Sequence, residues 1–479
     1  VSERRLGVRT LRIGAVVVSA LMFMTTAGGY LAYRHLNGNI GHQKVDPHVL
    51  KKKHGKTVNY LIIGSDNRQV PGAAKYGRLL FEDLSDTVIL AHLPGDGKSA
   101  RMISFPRDAL VDIPSCRRWN GKTGTSDPRR DKFNVAYALG GPECTIKLVK
   151  AMTGIEIDDF IVVSLPGFVK ISNALGGVEV CLPQDVNDDK AKLYITKGRH
   201  KIKGETALAY VRERSALGGS RIQRQNAFLG SAIKEATSTR LLANPAKLFR
   251  LLDVTTKSIT TGNLSLNDLR KLADRFKSIK PGNVTFYSLP ITGHRREHLA
   301  GYNNPRGVDV ELIDEPAAAA LYASIKASAP LPAPTATPTK APALSVAASN
   351  VHVQVLNGTG VKGAAKKAAD DLRAAGFDVV GTGDADNHNY TQTIVRFGPS
   401  KVQSSETLAA AVPGSTRLAD DGLVRVVNLI VGSNYTGAHS VTVSSSASPA
   451  PSASPGVVRG TTADEDPCVA ANRPGGDSA

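Results

Sequence analysis

Cysteine is scarce in this chain: there are four in 479 residues, with no CxxC pair and no Cys/His spacing of the kind that holds zinc. A zinc module is thereby excluded. Acidic residues are also short beside basic ones, 42 Asp and Glu against 60 Lys and Arg, for a net charge of +18. The shortfall is local. Residues 1–300 hold 47 basic and 26 acidic residues, whereas residues 301–479 hold 13 and 16. A basic field confined to the first part of the chain suggests an anionic partner there: nucleic acid, a phospholipid surface or a phosphorylated substrate. General solubility is the plainer reading. No helix-turn-helix pattern stands out.

Charge is absent altogether from residues 13–33, IGAVVVSALMFMTTAGGYLAY, a stretch long enough to cross the hydrocarbon core of a bilayer. Arg4, Arg5, Arg9 and Arg12 precede it. Positive charge on that side predicts a cytoplasmic tail over 1–12, a transmembrane anchor over 13–33 and an exported remainder. A cleaved signal peptide is the alternative, but no A-x-A site is obvious near its end. An exported domain lies on the wrong side of the membrane for nucleic acid, so none is expected as a partner. It also sits where disulfides persist. Cys116 in IPSCRRWNG and Cys144 in GGPECTIK lie in loop-like sequence and are expected to pair. Cys181, in the apolar strand GGVEVCLP, reads as a buried thiol, and Cys468 as part of a tail.

Beyond the anchor, residues 34–56 read as a polar, basic stalk. VNYLIIG begins a buried strand near Val58. DTVILAHL and SARMISFP read as further strands, with PGDGK supplying the turn between them. Helices are expected around 142–153 and 164–175, a strand at GGVEVCLP, and a helix at GETALAYVRER. SRIQRQNAFLGSAIKEATS spaces its apolar residues helically, with Ser220 as a plausible N-cap. Two more helices fill 245–278 before a strand at NVTFYSLP. This alternation argues an α/β domain over 57–325. A Pro/Ala/Thr linker follows over 326–349, then a smaller α+β domain over 350–435, and a Ser/Ala/Pro-rich tail over 436–479 expected to be disordered.

The chemistry concentrates in the first domain. YVRERSALGGSRIQRQN places Arg212, Arg214, Arg221 and Arg224 within thirteen positions, with only Glu213 as a nearby acid. Arg221 and Arg224 fall in the first turn of a helix, where positive side chains oppose the helix dipole. A sequence that accepts this cost is suited to holding an anion there, with backbone N–H groups and guanidinium groups together. Four arginines could converge on a pyrophosphate; solvated surface arginines are the bland alternative. Asp66 lies just past the carboxyl end of the first strand, the edge where open α/β sheets bind ligands. Asp86 opens the next strand and reaches the same edge if the two run antiparallel. Arg107 and Asp108 follow the third strand. Carboxylates beside phosphate-binding arginines are what Mg²⁺ requires.

In order along the chain, NYLIIGSDNR, SDTVILAHL, MISFPRDALVDIP, KFNVAYALGG, NALGGVEV, ALAYVRER and RIQRQNAFL resemble the motifs of the LytR-CpsA-Psr family. Residues 351–434 resemble the LytR C-terminal domain often attached to it. The resemblance implies an α-β-α sandwich with a long hydrophobic pocket for a lipid. It implies a membrane-anchored enzyme acting outside the cell, which moves a glycopolymer phosphate from a polyprenyl-pyrophosphate carrier onto peptidoglycan as a phosphodiester. Carried over motif by motif, Asp66 and Asp86 would serve a magnesium–pyrophosphate site. Arg68, Arg107, Arg212, Arg214, Arg221, Arg224 and Gln225 would hold phosphate. Asp66, Asp86 and Arg107 would be catalytic, with the general base left open. Two positions depart from the pattern. Leu84 stands where the family usually has the arginine of Arg-Ser-Asp, and Gly218 where it often has an aspartate. A binding protein that holds a polyprenyl phosphate or an anionic wall polymer without turnover is the competing expectation.

Overall fold

A computed structural model describes residues 2–51, 55–67, 72–73, 76, 83–182, 185–188, 192–213, 221–299, 302, 307–328, 344, 346–385, 388, 390, 392–398, 401–419, 426–441 and 460–468. The chain divides into two compact units. The first comprises Val1–Leu289, Ala319–Ala329 and Val458–Arg473; the second comprises Pro290–Ala318, Pro330–Val457 and Pro474–Ala479.

The first unit is an α/β sandwich around an eight-stranded sheet. Its centre is β2 (Val58–Ser65), following the two-residue β1 (Gly41–His42). β3 (Ser85–Leu93) pairs antiparallel with β2, and β4 (Ala100–Phe105) antiparallel with β3. Strand Asp159–Ser164 runs parallel to β2 on its other side, and Val284–Ser288 runs parallel to β4. Alternation decides what β2 buries. Leu61 and Ile63 are fully buried toward one face. Tyr60 and Ile62 point the other way, into a cluster that includes Phe276 and Ile233. Each such aliphatic side chain stabilises the fold by roughly 1.5–3 kcal/mol on burial.

Helix α1 spans Ser2–Gly38. Its segment Gly14–Gly38 is long and apolar enough to cross a membrane, and none of the most apolar window is buried in the fold. Residues from Arg34 onward depart from the expected stalk. Leu36, Ile40, Val49 and Leu50 are buried. Asn37 Oδ1 accepts from the Leu266 N–H at 2.8 Å, and β1 pairs with the short strand Ile259–Thr261 at the sheet edge. The segment is therefore part of the domain's packing.

Helix α2 covers Val135–Thr153, seven residues earlier than expected, because it is two helical runs joined at Gly140–Gly141. Gly141 has φ 61°, and a Cβ there would stand 2.6 Å from Trp119 Cε3. Cys116 and Cys144 are disulfide-bonded beside this kink. Helix α3 spans Leu165–Leu175, with Ser164 capping its start. Helices α4 (Gly204–Arg212) and α5 (Arg221–Ala236) follow.

Two expectations about the end of the chain are corrected. Cys181 is not a thiol: it is disulfide-bonded to Cys468, 287 residues away. Residues 460–468 are not a disordered tail, because Gly460–Thr462 adds the eighth strand, antiparallel to Val284–Ser288. Ala463 is buried in the sheet's apolar cluster, and Asp466 pairs with Arg199. Cys468→Ser should cost about 2–5 kcal/mol of stability. The check is a thermal melt under non-reducing conditions; an unchanged midpoint would show that the strand docks without the bond.

The second unit has its own five-stranded sheet. Asp378–Asp384 and Val427–Val431 flank His352–Asn357, both parallel to it. Ile394–Phe397 pairs antiparallel with Val427–Val431 and parallel with Thr416–Ala419. Helix Ala364–Ala374 buries Ala365, Ala368, Ala369 and Leu372, a stripe at helical spacing, against Val353, Val355 and Leu429. A second helix, Val402–Ala411, contributes Leu408 and Ala411.

Candidate active site

The carboxyl end of β2 and the start of β3 meet through the Asp66 N–H, which donates to the Leu84 carbonyl at 2.9 Å. Ser65 pairs with Ser85 while Gly64 pairs with Thr87. Asp86 is therefore the extra residue of a bulge, a device that re-aims a side chain at a sheet end. Its carboxylate accepts from Arg107 Nη1 at 2.7 Å. Arg107 Nε donates to Asp108 at 3.0 Å, and Lys132 Nζ donates to the other Asp108 oxygen at 3.0 Å. The result is an alternating chain of charge, Asp86–Arg107–Asp108–Lys132, at the sheet edge.

Burial alone would push the Asp86 carboxyl up, but Arg107, with Arg221 and Arg212 nearby, holds it below its ordinary value. Burial likewise opposes the charge on Asp108, and Arg107 and Lys132 outweigh it. For Arg107, burial pulls the guanidinium down and the two aspartates more than restore it. Both carboxyls ionise more readily folded than unfolded. The stability they contribute is therefore complete above the ordinary aspartate value of 3.8 and is lost as pH falls through their lower folded values. Asp86→Asn should flatten part of that acid limb, read as the slope of unfolding free energy against pH below about 4. An unaltered slope would mean that Asp86 is not held ionised.

Asp66 is buried, and Arg212 Nη2 lies 4.0 Å from its Oδ2. Arg212 ends α4 and Arg221 opens α5, so both guanidiniums come from helix ends, and both lie near enough to Asp86 to favour its charge. Arg224 does not join them. Its Nη2 donates to the Glu213 carbonyl at 2.7 Å and lies 3.3 Å from the Glu213 carboxylate. Glu213 is fully buried and the Arg224 side chain is 10% exposed. Their pairing holds the end of α4 to the first turn of α5. Gln225 is committed in a similar way: its amide donates to the Val211 carbonyl at 3.0 Å and accepts from Thr87 at 3.3 Å, bridging α4 and β3. Both residues thus tie α4 to its neighbours, Arg224 through Glu213 and Gln225 through Val211 and Thr87. Arg68, Arg214, Gly218 and Ser220 lie outside the described residues.

Four contributors gave little sequence signal. Lys132 opens KFNVAYALGG, but only folding brings it to Asp108. Asp83, at φ 57°, accepts from Asn120 at 2.5 Å. Ser104 donates to the buried Asn226 at 2.7 Å, fixing α5 over β4. Tyr137 hydrogen-bonds Ser65, and burial pushes its phenol up to about 12.

Among the described residues no three His, Cys, Asp or Glu side chains are grouped to hold a metal. Asp66 and Asp86 both offer hard carboxylate oxygens at this end of the sheet, where the Asp66 N–H bonds the Leu84 carbonyl. Their donor chemistry is of the kind Mg²⁺ takes, one or two carboxylates with other positions left for substrate oxygens.

The carboxyl edge of this α/β sheet interleaves arginines with aspartates. The chain belongs to the LytR_cpsA_psr family, matched over residues 26–313. Residues 350–435 match a second family, described as LytR cell envelope-related transcriptional attenuator. The chain is 28% identical over 468 residues to the cell wall biosynthesis protein LcpA of Corynebacterium glutamicum, covering 89% of this chain and 88% of that one. It is 31% identical over 322 residues to TagT of Bacillus subtilis, a polyisoprenyl-teichoic acid–peptidoglycan teichoic acid transferase, covering 63% of this chain and 92% of TagT. Among solved structures, B. subtilis TagV is 25% identical with a TM-score of 0.45, covering 58% of this chain and 98% of that one.

Proposed function

We propose that this chain is a phosphotransferase that moves a glycopolymer phosphate from a polyprenyl-pyrophosphate carrier to peptidoglycan, forming a phosphodiester. The observation that carries the reading is Arg107, held between Asp86 and Asp108, with Arg212 and Arg221 close enough to act on Asp86. A bound pyrophosphate would replace carboxylate oxygens with phosphate oxygens around these guanidiniums. The acceptor hydroxyl would attack the phosphorus bonded to the glycan. The bond from that phosphorus to the bridging oxygen would break, the lipid monophosphate would leave, and the hydroxyl proton would pass to a base. Asp66 and Asp86 would hold Mg²⁺, which would neutralise phosphate charge as the bridging bond breaks. The polyprenyl chain would lie toward the apolar side of α3, α4 and α5, where Phe168, Tyr210 and Phe228 cluster. Helix α1 would anchor the protein as a single span, with the N-terminus in the cytoplasm and both units outside.

The relatives named as transferases support this reading. The test is a transfer assay on the purified chain in detergent with Mg²⁺, a short-chain polyprenyl-pyrophosphate glycan and peptidoglycan oligomers. Mass spectrometry should find the phosphodiester product, and EDTA should abolish it. Tight lipid binding without product would instead make the protein a carrier-binding protein, as the half-buried Leu84 in place of an arginine would allow.

A further inference from the structure

The second unit carries a cleft of about 830 Å³. It opens at the carboxyl ends of two neighbouring parallel strands, His352–Asn357 and Val427–Val431. From the first of these the chain passes through helix Ala364–Ala374 to Asp378–Asp384 on one side, and every later strand lies on the other. Strand order therefore reverses at this seam, and such seams are where open α/β sheets take ligands. The volume falls in the range of small-molecule sites, roughly 300–1,000 Å³.

The lining is mostly apolar and aromatic, with a few fixed polar groups. Tyr390 and Tyr435 both contribute. Each is held by its hydroxyl: Arg396 donates to Tyr390 at 2.8 Å, and Tyr435 donates to Asp371 at 3.2 Å. Lys367 is committed, lying 2.8 Å from Asp371 and 5.6 Å from the Tyr435 ring centre. Lys362 is exposed and has no ion pair among the described residues, so it gives the mouth its available positive charge. Thr359 and Ser433 add hydroxyls. Glycine brings the wall in close: a Cβ on Gly358 would stand 2.7 Å from Tyr390 Cδ2. The segment reads Gly358-Thr359-Gly360-Val361-Lys362-Gly363, between a parallel strand and the start of a helix, and Thr359, Val361, Lys362 and Gly363 of it line the cleft. That glycine spacing is weak evidence alone; here it borders a cleft with a cation and two anchored rings.

We infer that this cleft binds a sugar phosphate, with the sugar against the tyrosines and the phosphate at Lys362 and the start of the helix. Aromatic rings with fixed hydroxyls present an apolar surface beside polar handles, which suits a sugar's mixed faces. The lysine and helix start favour an anion. The inference concerns the second unit only and stands whether or not the first unit transfers a glycopolymer.

The test uses the full chain in detergent, carrying Arg107→Ala and Arg212→Ala to weaken phosphate binding in the first unit. Glucose 1-phosphate, glucose and inorganic phosphate are titrated separately and followed by calorimetry and, for the sugars, saturation-transfer NMR. Glucose 1-phosphate should bind most tightly. Lys362→Glu should weaken it about tenfold or more, and Tyr390→Leu should do the same. Lys362 is exposed, so its variant tests the site even if Tyr390→Leu fails to fold. Absence of binding, or binding indifferent to Lys362→Glu, would overturn the proposal. Equal affinity for inorganic phosphate would remove the sugar from it, and equal affinity for glucose would remove the phosphate.

Discussion

Arg107→Ala is expected to lower transfer by about 100- to 1,000-fold, the loss typical of removing one preorganised donor from a developing charge. The guanidinium is the only described group bonded to both Asp86 and Asp108. On the proposed reading its loss would remove a phosphate ligand, and it would leave Asp86 and Asp108 without the guanidinium they share. Their repulsion would act on an incoming pyrophosphate as well as on each other. Arg107→Lys keeps the charge but not the planar fork, so it should recover only part of the rate. The assay is product formation at saturating lipid substrate, beside a melt to confirm folding. A rate within about threefold of the parent would remove Arg107 from the transition state, since that is under 1 kcal/mol.

Glu213→Ala carries the largest expected cost in stability, about 3–5 kcal/mol, because it strands Arg224 in a buried site without its carboxylate. The Arg224 guanidinium is already depressed by burial, with Glu213 the chief group opposing that. The double variant Glu213→Leu/Arg224→Met should recover much of the loss, since no charge then remains buried. Denaturant unfolding measures both. If the single variant costs under about 1 kcal/mol, the pair is solvated in solution and is not the clasp between α4 and α5.

Much of the sheet is legible in the sequence for a simple reason. VNYLIIGS and DTVILAHL are apolar runs bounded by turn residues, and a strand buried on both faces needs nothing else. Among the strands that escaped notice, Gly41–His42 and Ile259–Thr261 are too short to show a period, whereas Asp159–Ser164, Ile291–Glu297 and Val308–Ile313 are six or seven residues long and were not read as strands. Helix Val402–Ala411 escaped because VQSSETLAAA has no clear apolar stripe. At the site, residue types were readable but partnerships were not. Asp86 and Arg107 are 21 positions apart, and their contact depends on a bulge that only the paired strand defines. Arg221 and Arg224 share one helical turn, yet Arg221 acts on Asp86 while Arg224 is taken by Glu213. Cys181 misled for the same reason. An apolar strand suggests a buried thiol, and nothing local reveals a partner 287 residues later.

That late partner changes what the second unit is. Most of it, Pro330–Val457, lies between two stretches of the first unit, Ala319–Ala329 and Val458–Arg473, the second of which carries strand Gly460–Thr462 and Cys468. The unit is thus spliced into its host, not hung from its end. A peptide-bond cut anywhere within Pro330–Val457 would shed nothing: the halves would stay covalently linked until a reductant reached Cys181–Cys468.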